Sequence, residues 1–130
     1  MSGKNRSILI IDDEPPLLRM MSLFLARSGY RVTVAAGAAK ARTELAAAAG
    51  GFDVIVIDAT LPDANMAELG TEILSADPNV RLLGASGYPV DMSGLEAVAP
   101  GRVAFLQKPF SPDMLAAALR RLLGTQEEIV

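Results

Sequence analysis

The 130 residues, 51% hydrophobic and 21% charged, describe one ordinary globular domain, long enough to bury a core and too short for two. No apolar stretch reaches the roughly 18 residues of a membrane span, and the opening MSGKNRS leads into the acidic SILIIDDE rather than a signal-peptide core, so the expected location is cytoplasmic. A net charge of -3 without a basic stripe argues against direct nucleic-acid binding, and zero Cys and zero His remove disulfides, thiolate or imidazole metal sites and every histidine-based acid, base or phosphocarrier role within the chain.

The first apolar run, SILII at 7 to 11, reads as a strand and ends on Asp12, Asp13 and Glu14. Helical periodicity follows at Leu17, Met20, Met21, Phe24 and Leu25, with Pro16 tolerable in the first turn and Gly29 placed to cap the end. RVTVA at 31 to 35 is the second strand, and AAKARTELAAAAG is a helix by its alanine propensity, stopped by Gly50 and Gly51. In the third strand, DVIVI at 53 to 57, consecutive branched aliphatics from Val54 to Ile57 require burial on both faces, so the carboxylate of Asp58 at its end needs a partner or a role.

A third helix is predicted from about Met66 to Ala76, ahead of Pro78, and RLLGA at 81 to 85 is a strand followed by Ser86. Two Pro and two Gly between 88 and 101 limit the fourth helix to a short one around Ser93 to Val98. RVAFL at 102 to 106 leads to Lys108 in a Lys-Pro-Phe tripeptide. The last helix opens with Ser111 as N-cap and Pro112 and Asp113 in its first turn, and runs through Leu115, Leu119 and Leu122 to Gly124. TQEEIV reads as a frayed tail, the methionines Met20, Met21, Met66, Met92 and Met114 as core filler, and Arg120 and Arg121 as a solvated helix face.

Five strand-helix repeats with short connections imply a parallel sheet covered on both faces through right-handed crossovers. The ligand crevice of such a sheet lies beyond the carboxyl ends of its strands. That edge collects Asp12, Asp13, Asp58, Ser86 and Lys108. The three Asp would repel one another unless some were protonated or a divalent cation lay among them, and hard oxygen ligands without His or Cys select Mg²⁺ or Mn²⁺. Lys108 adds a cation able to touch an anion on the metal, and Ser86 adds a hydrogen-bond donor. Together they describe a phosphoryl site in which one carboxylate is the nucleophile and forms an acyl phosphate. Singly, each residue has a plainer reading: Asp58 as a loop or cap residue, Asp12 and Asp13 as caps of the first helix, Glu14 as a charge near its positive end, Ser86 as a strand-end hydroxyl, Lys108 as a loop cation, Phe105 as a packing aromatic.

IIDDE, IDATLP, the Ala-Ser pair and LQKPF, in this order and spacing, resemble the receiver domain of bacterial two-component response regulators, from about Ser7 to Leu123. The resemblance implies a flavodoxin-like, doubly wound (βα)5 α/β fold with strand order 2-1-3-4-5, and a single receiver domain over 1 to 130. It implies that Asp58 takes a phosphoryl group from the phosphohistidine of a sensor histidine kinase or a histidine phosphotransfer domain. Asp13, Asp58 and the Thr60 carbonyl would then ligate Mg²⁺, Asp12 would hold it through water, and Lys108 would pair with the phosphoryl group. Ser86 would move toward that group and Phe105 would follow as the aromatic switch. A cis Lys108-Pro109 bond is implied, as is tuning of dephosphorylation by Thr60 and Tyr88, with Tyr88 shielding the acyl phosphate. No dedicated substrate turnover is implied, only self-phosphorylation and slow hydrolysis.

Two departures stand out. Met66 replaces the family's Gly after the Pro, so this loop is expected to be shaped differently, and Phe105 replaces a frequent Tyr, leaving a switch that works by packing alone. The alternative function is a non-phosphorylated interaction module using the fourth and fifth units, which the intact acidic and Lys positions oppose. A haloacid-dehalogenase-type phosphatase would want a second Asp where Thr60 stands, and a nucleotide-binding flavodoxin-like protein would want a Gly-rich loop after the first strand. Of three settings (stand-alone regulator, regulator cut from its effector, terminal receiver of a hybrid histidine kinase), SGY and FLQKPF most resemble the last. Relatives often dimerise on the side of the fourth helix, so a phosphorylation-dependent homodimer is a further expectation.

Overall fold

The structure, a computed structural model, describes residues 6–124. Strands β1 (Ser7–Ile11), β2 (Arg31–Ala35), β3 (Val54–Asp58), β4 (Arg81–Ser86) and β5 (Val103–Gln107) alternate with helices α1 (Pro15–Arg27), α2 (Ala38–Ala47), α3 (Met66–Ala76), α4 (Ser93–Val98) and α5 (Pro112–Leu123). Every strand pairing is parallel and the order is β2-β1-β3-β4-β5, the expected doubly wound sheet with its reversal at β1 and β3.

Alternation along each strand sorts the aliphatics into two cores. Ile8, Ile10, Val54, Val56 and Leu83 pack with Met21 and Leu25 of α1 and Leu115 and Leu119 of α5. Leu9, Ile11, Ile55, Ile57 and Leu82 pack on the opposite face with α2, α3 and α4. Central β3 is buried over its whole length, as its unbroken aliphatic run requires.

Local chemistry explains the helix ends. Pro15 and Pro16 occupy the first turn of α1, where missing N–H groups cost nothing, and Gly29 follows its end at φ 99°. Asp12 does not cap the helix proper: its Oδ1 accepts the Glu14 N–H at 2.9 Å, closing a turn just ahead of it. Asn65 caps α3 by accepting the Glu68 N–H at 3.1 Å, and Ser111 caps α5 through the Met114 N–H at 3.1 Å.

Some boundaries differ from the sequence pattern. Helix α2 stops at Ala47, ahead of Gly50, because Ala48 leaves helical geometry and the Gly51 N–H closes a turn on its carbonyl at 3.2 Å. Strands β3 and β5 each start one residue late, so β3 ends on Asp58 itself. Met21 and Met66 are buried, but Met114 is 47% exposed, since Leu115 takes the inward position of that turn. The expected tail at 125–130 lies outside the described residues.

Candidate functional site

The carboxyl edge of the sheet carries three side chains that burial would ordinarily exclude. Asp12 and Asp58 are 2% exposed and Ser86 1%, and they are the buried polar or charged residues of the described chain. Each stands where a strand ends: Asp12 after β1, Asp58 closing β3, Ser86 closing β4. Asp13, which is exposed, completes a cluster in which Asp12, Asp13 and Asp58 each offer an oxygen within 4.8 Å of the others. Like charges held this close repel one another. An all-oxygen set this close fits a hard divalent cation such as Mg²⁺.

Lys108, just beyond β5, supplies the local positive charge. Its Nζ lies 3.0 Å from Asp12 Oδ2, 2.9 Å from Glu14 Oε1 and 3.6 Å from Asp58 Oδ1. Burial alone would pull the ammonium pKa down, but the bonds to Glu14 and Asp12, with the field of Asp58, hold it above its ordinary value. Burial pushes the Asp12 carboxyl up, an effect that the Glu14 amide and Lys108 offset only in part. The Lys108-Pro109 peptide is cis, as the resemblance implied. Glu14 is the residue that sequence reasoning undervalued. It reads as a charge near a helix start, yet its carboxylate binds a lysine 94 positions away. The available signal was a third acid following β1 at an edge holding a single lysine.

Asp58 is held by its own loop. Its Oδ1 accepts the Thr60 amide at 3.0 Å and the Thr60 hydroxyl at 2.9 Å, which leaves Oδ2 without a hydrogen-bond donor among the described residues. Ser86 Oγ accepts the Tyr88 N–H at 3.0 Å, so its own proton stays available to donate. The Lys108 N–H donates to the Ser86 carbonyl at 2.8 Å, which ties the ends of β4 and β5 together.

Phe105 pairs across the strands with Gly84, two residues ahead of Ser86, and is half-buried. Above Gly84 sit two methionines: a Cβ built there would lie 2.9 Å from Met66 Sδ and 3.1 Å from Met92 Cε. Met66 therefore occupies room that the bare backbone of Gly84 leaves free, and α3 still begins at Met66 with Asn65 as its cap. Beside the cluster opens a groove of about 630 Å³, lined by Pro16, Leu17, Tyr88, Pro109 and Phe110 together with Glu14 and Lys108, and Tyr88 is 72% exposed.

A five-stranded doubly wound sheet with buried acids and a lysine at its carboxyl edge is the arrangement that the receiver resemblance implies. A family model for the response regulator receiver domain matches residues 8–120, and the chain belongs to that family. It is 28% identical over 127 residues to the sensor kinase CckA of Brucella abortus, covering 98% of this chain but 13% of the kinase. It is 26% identical to the chemotaxis protein CheY of Thermotoga maritima, covering 90% of this chain and 97% of that one. Among solved structures, a CheY-like receiver domain protein from Methanospirillum hungatei aligns over 96% of this chain and 98% of its own, with a TM-score of 0.79 and 26% identity. Among the described residues, no helix is long and apolar enough to cross a membrane.

Proposed function

We propose that this chain is a cytoplasmic phospho-acceptor: Asp58 takes a phosphoryl group from a partner's phosphohistidine in a Mg²⁺-dependent reaction, and the domain changes conformation in response. The observation that carries this reading is the buried Asp58 carboxylate, with one oxygen fixed by Thr60 and the other without a donor, beside two further acids and Lys108. In the transfer, an Asp58 oxygen attacks phosphorus, the phosphorus–nitrogen bond to the partner's imidazole breaks, and that nitrogen leaves with the bonding pair and is protonated. Bound Mg²⁺, held by Asp13, Asp58 and the Thr60 carbonyl with Asp12 behind a water, would neutralise charge on the phosphoryl oxygens.

The chain's own residues do the remaining work. Lys108 exchanges part of its contact with Glu14 and Asp12 for the phosphoryl group. Ser86 turns its free proton toward the same group, and Phe105, across from Gly84 on the neighbouring strand, follows by packing alone. Exposed Tyr88 shields the acyl phosphate from water. The groove of Pro16, Leu17, Pro109 and Phe110 offers an apolar seat beside Lys108 for the protein that bears the phosphohistidine, on a sensor kinase or a histidine phosphotransfer domain. Similarity to a sensor kinase supports the hybrid-kinase setting, with residues 1–130 forming one receiver domain.

Intact mass after incubation with Mg²⁺ and acetyl phosphate tests the reading. One phosphoryl adduct is expected on the native chain, absent from Asp58→Asn and absent with a chelator. A native chain that binds Mg²⁺ yet shows no adduct under rapid quenching would instead be a receiver fold used for binding alone.

A further inference from the structure

Residues 59–65 join the proposed acceptor to α3. The loop is tied at its start by the Ala59 N–H on the Ala85 carbonyl at 2.8 Å, and at its end by the Asn65 cap. Leu61 anchors its middle in the core. Asp63 does something different and reaches across to another helix. Its Oδ2 accepts the Ala38 N–H at 2.9 Å and the Ala39 N–H at 3.4 Å, and its Oδ1 lies 3.1 Å from the Ala38 nitrogen.

These are the opening amides of α2, and the helix's own N-cap, Gly37, has no side chain to serve them. The glycine matters here for room. Its backbone is extended, at φ -171°, which any residue adopts, but a Cβ at 37 would lie 3.0 Å from Asp63 Oδ2. The apolar hold on helix α2 is modest, with Ala38 and Ala41 buried and Leu45 packed partly against the same core. Its other polar tie, Arg42 to Glu72 of α3 at 3.0 Å, is exposed and by itself weak.

We infer that Asp63 is a positioning residue for the reaction at Asp58. By clamping loop 59–65 onto the first turn of α2, it fixes Thr60, whose amide and hydroxyl hold Asp58 and whose carbonyl faces the metal in the proposed function, on which this inference rests. A simple helix cap would lower stability on removal and leave metal affinity alone. A positioning residue changes the affinity of the folded protein.

The test is calorimetric titration with Mg²⁺ of the native chain, Asp63→Ala, Asp63→Asn and Glu72→Gln. Asp63→Ala is expected to raise the Mg²⁺ dissociation constant roughly tenfold, the low end of the effect of removing groups that orient metal ligands. Asp63→Asn loses the same charge but keeps an oxygen for the Ala38 N–H, so it should recover most of that affinity. Glu72→Gln, which also loses a charge and reduces the other α2 tie to a neutral hydrogen bond, should leave the constant unchanged. Equal weakening in both Asp63 variants would reveal a field effect and overturn the inference, as would a lower melting temperature with unchanged affinity. In the unmodified chain Mg²⁺ should slow hydrogen exchange at the Ala38 and Ala39 amides and not at Ala48; no such difference would also overturn it. A native chain that fails to bind Mg²⁺ at all removes the proposed function first, and the role of Asp63 with it.

Discussion

The two ends of the sheet treat polar groups in opposite ways. At the amino end they are spent on the backbone. Asp53 accepts the Ser7 N–H at 2.7 Å, Arg31 donates to Ser7 Oγ at 2.9 and 3.2 Å, and the Arg102 guanidinium serves the carbonyls of Leu74 and Asp77 at the end of α3 and of Val80 just ahead of β4. Among the described residues, Arg81 Nε is the buried side-chain atom left over. At the carboxyl end Asp12, Glu14 and Asp58 gather around Lys108 with Asp13 beside them, and one ammonium cannot neutralise four carboxylates. A closed network suits a place where nothing has to change. An unbalanced one suits a place where a cation and a phosphoryl group arrive with the missing interactions, and it costs stability until they do.

The contrast breaks most visibly if the amino end is opened. Arg102→Met keeps the apolar stem but strands three carbonyls, and should lower stability by about 3 kcal/mol in urea denaturation, with Mg²⁺ affinity untouched. A loss under about 1 kcal/mol would mean that water replaces the guanidinium, and the closed network would lose its meaning. Next in size is Gly84→Ala, which drives a methyl group into Met66 and Met92 and should cost about 1–3 kcal/mol. Adding Met66→Ala should relieve part of that cost, and purely additive losses would show that the methionines do not fill this space.

Asp12→Asn should have the opposite sign. Burial raises the Asp12 carboxyl above its ordinary value, so the fold disfavours its charge, and the amide should raise the urea midpoint of the Mg²⁺-free protein. That gain should shrink or reverse as Mg²⁺ is added. A lower melting temperature without Mg²⁺ would show instead that the Lys108 pair outweighs burial.

What the sequence shows well is whatever local pattern decides. Four branched aliphatics announce a doubly covered β3, and the Pro and Gly around Ser93–Val98 limit α4 to the span it has. The acids and the lysine could be placed at one edge because strand ends in a doubly wound sheet share an edge. Glu14 on Lys108, Asp63 on α2 and Arg102 on the end of α3 were not legible. Each depends on how a loop brings together residues 94, 25 or more than 20 positions apart, which neither periodicity nor propensity encodes. The Met66 departure was visible, but its partner was not: Gly84 looks like an ordinary small residue in a strand until the methionine is seen above it.

The smallest expected effect on stability falls on Asp63, which joins the two kinds of network. It is closed onto backbone amides like the amino end, yet it belongs to the loop of the unbalanced one. The Ala38 amide, helped by Ala39 and Arg42, holds its carboxyl below the ordinary value of 3.8. With the folded value depressed, folding prefers the ionised form. Its contribution is complete above 3.8 and is lost as pH falls through the folded value. The urea midpoints of the native chain and Asp63→Ala should therefore stay a fixed distance apart from about pH 6 down to about pH 4, then converge at lower pH. The side chain is exposed, so the gap should be small and should narrow further in high salt. A gap that persists to the lowest pH at which both chains fold would mean that the protonated carboxyl serves the Ala38 amide as well as the carboxylate does. The loop would then be held by shape rather than charge, and Asp63→Asn should match the native chain in stability as well as in Mg²⁺ affinity.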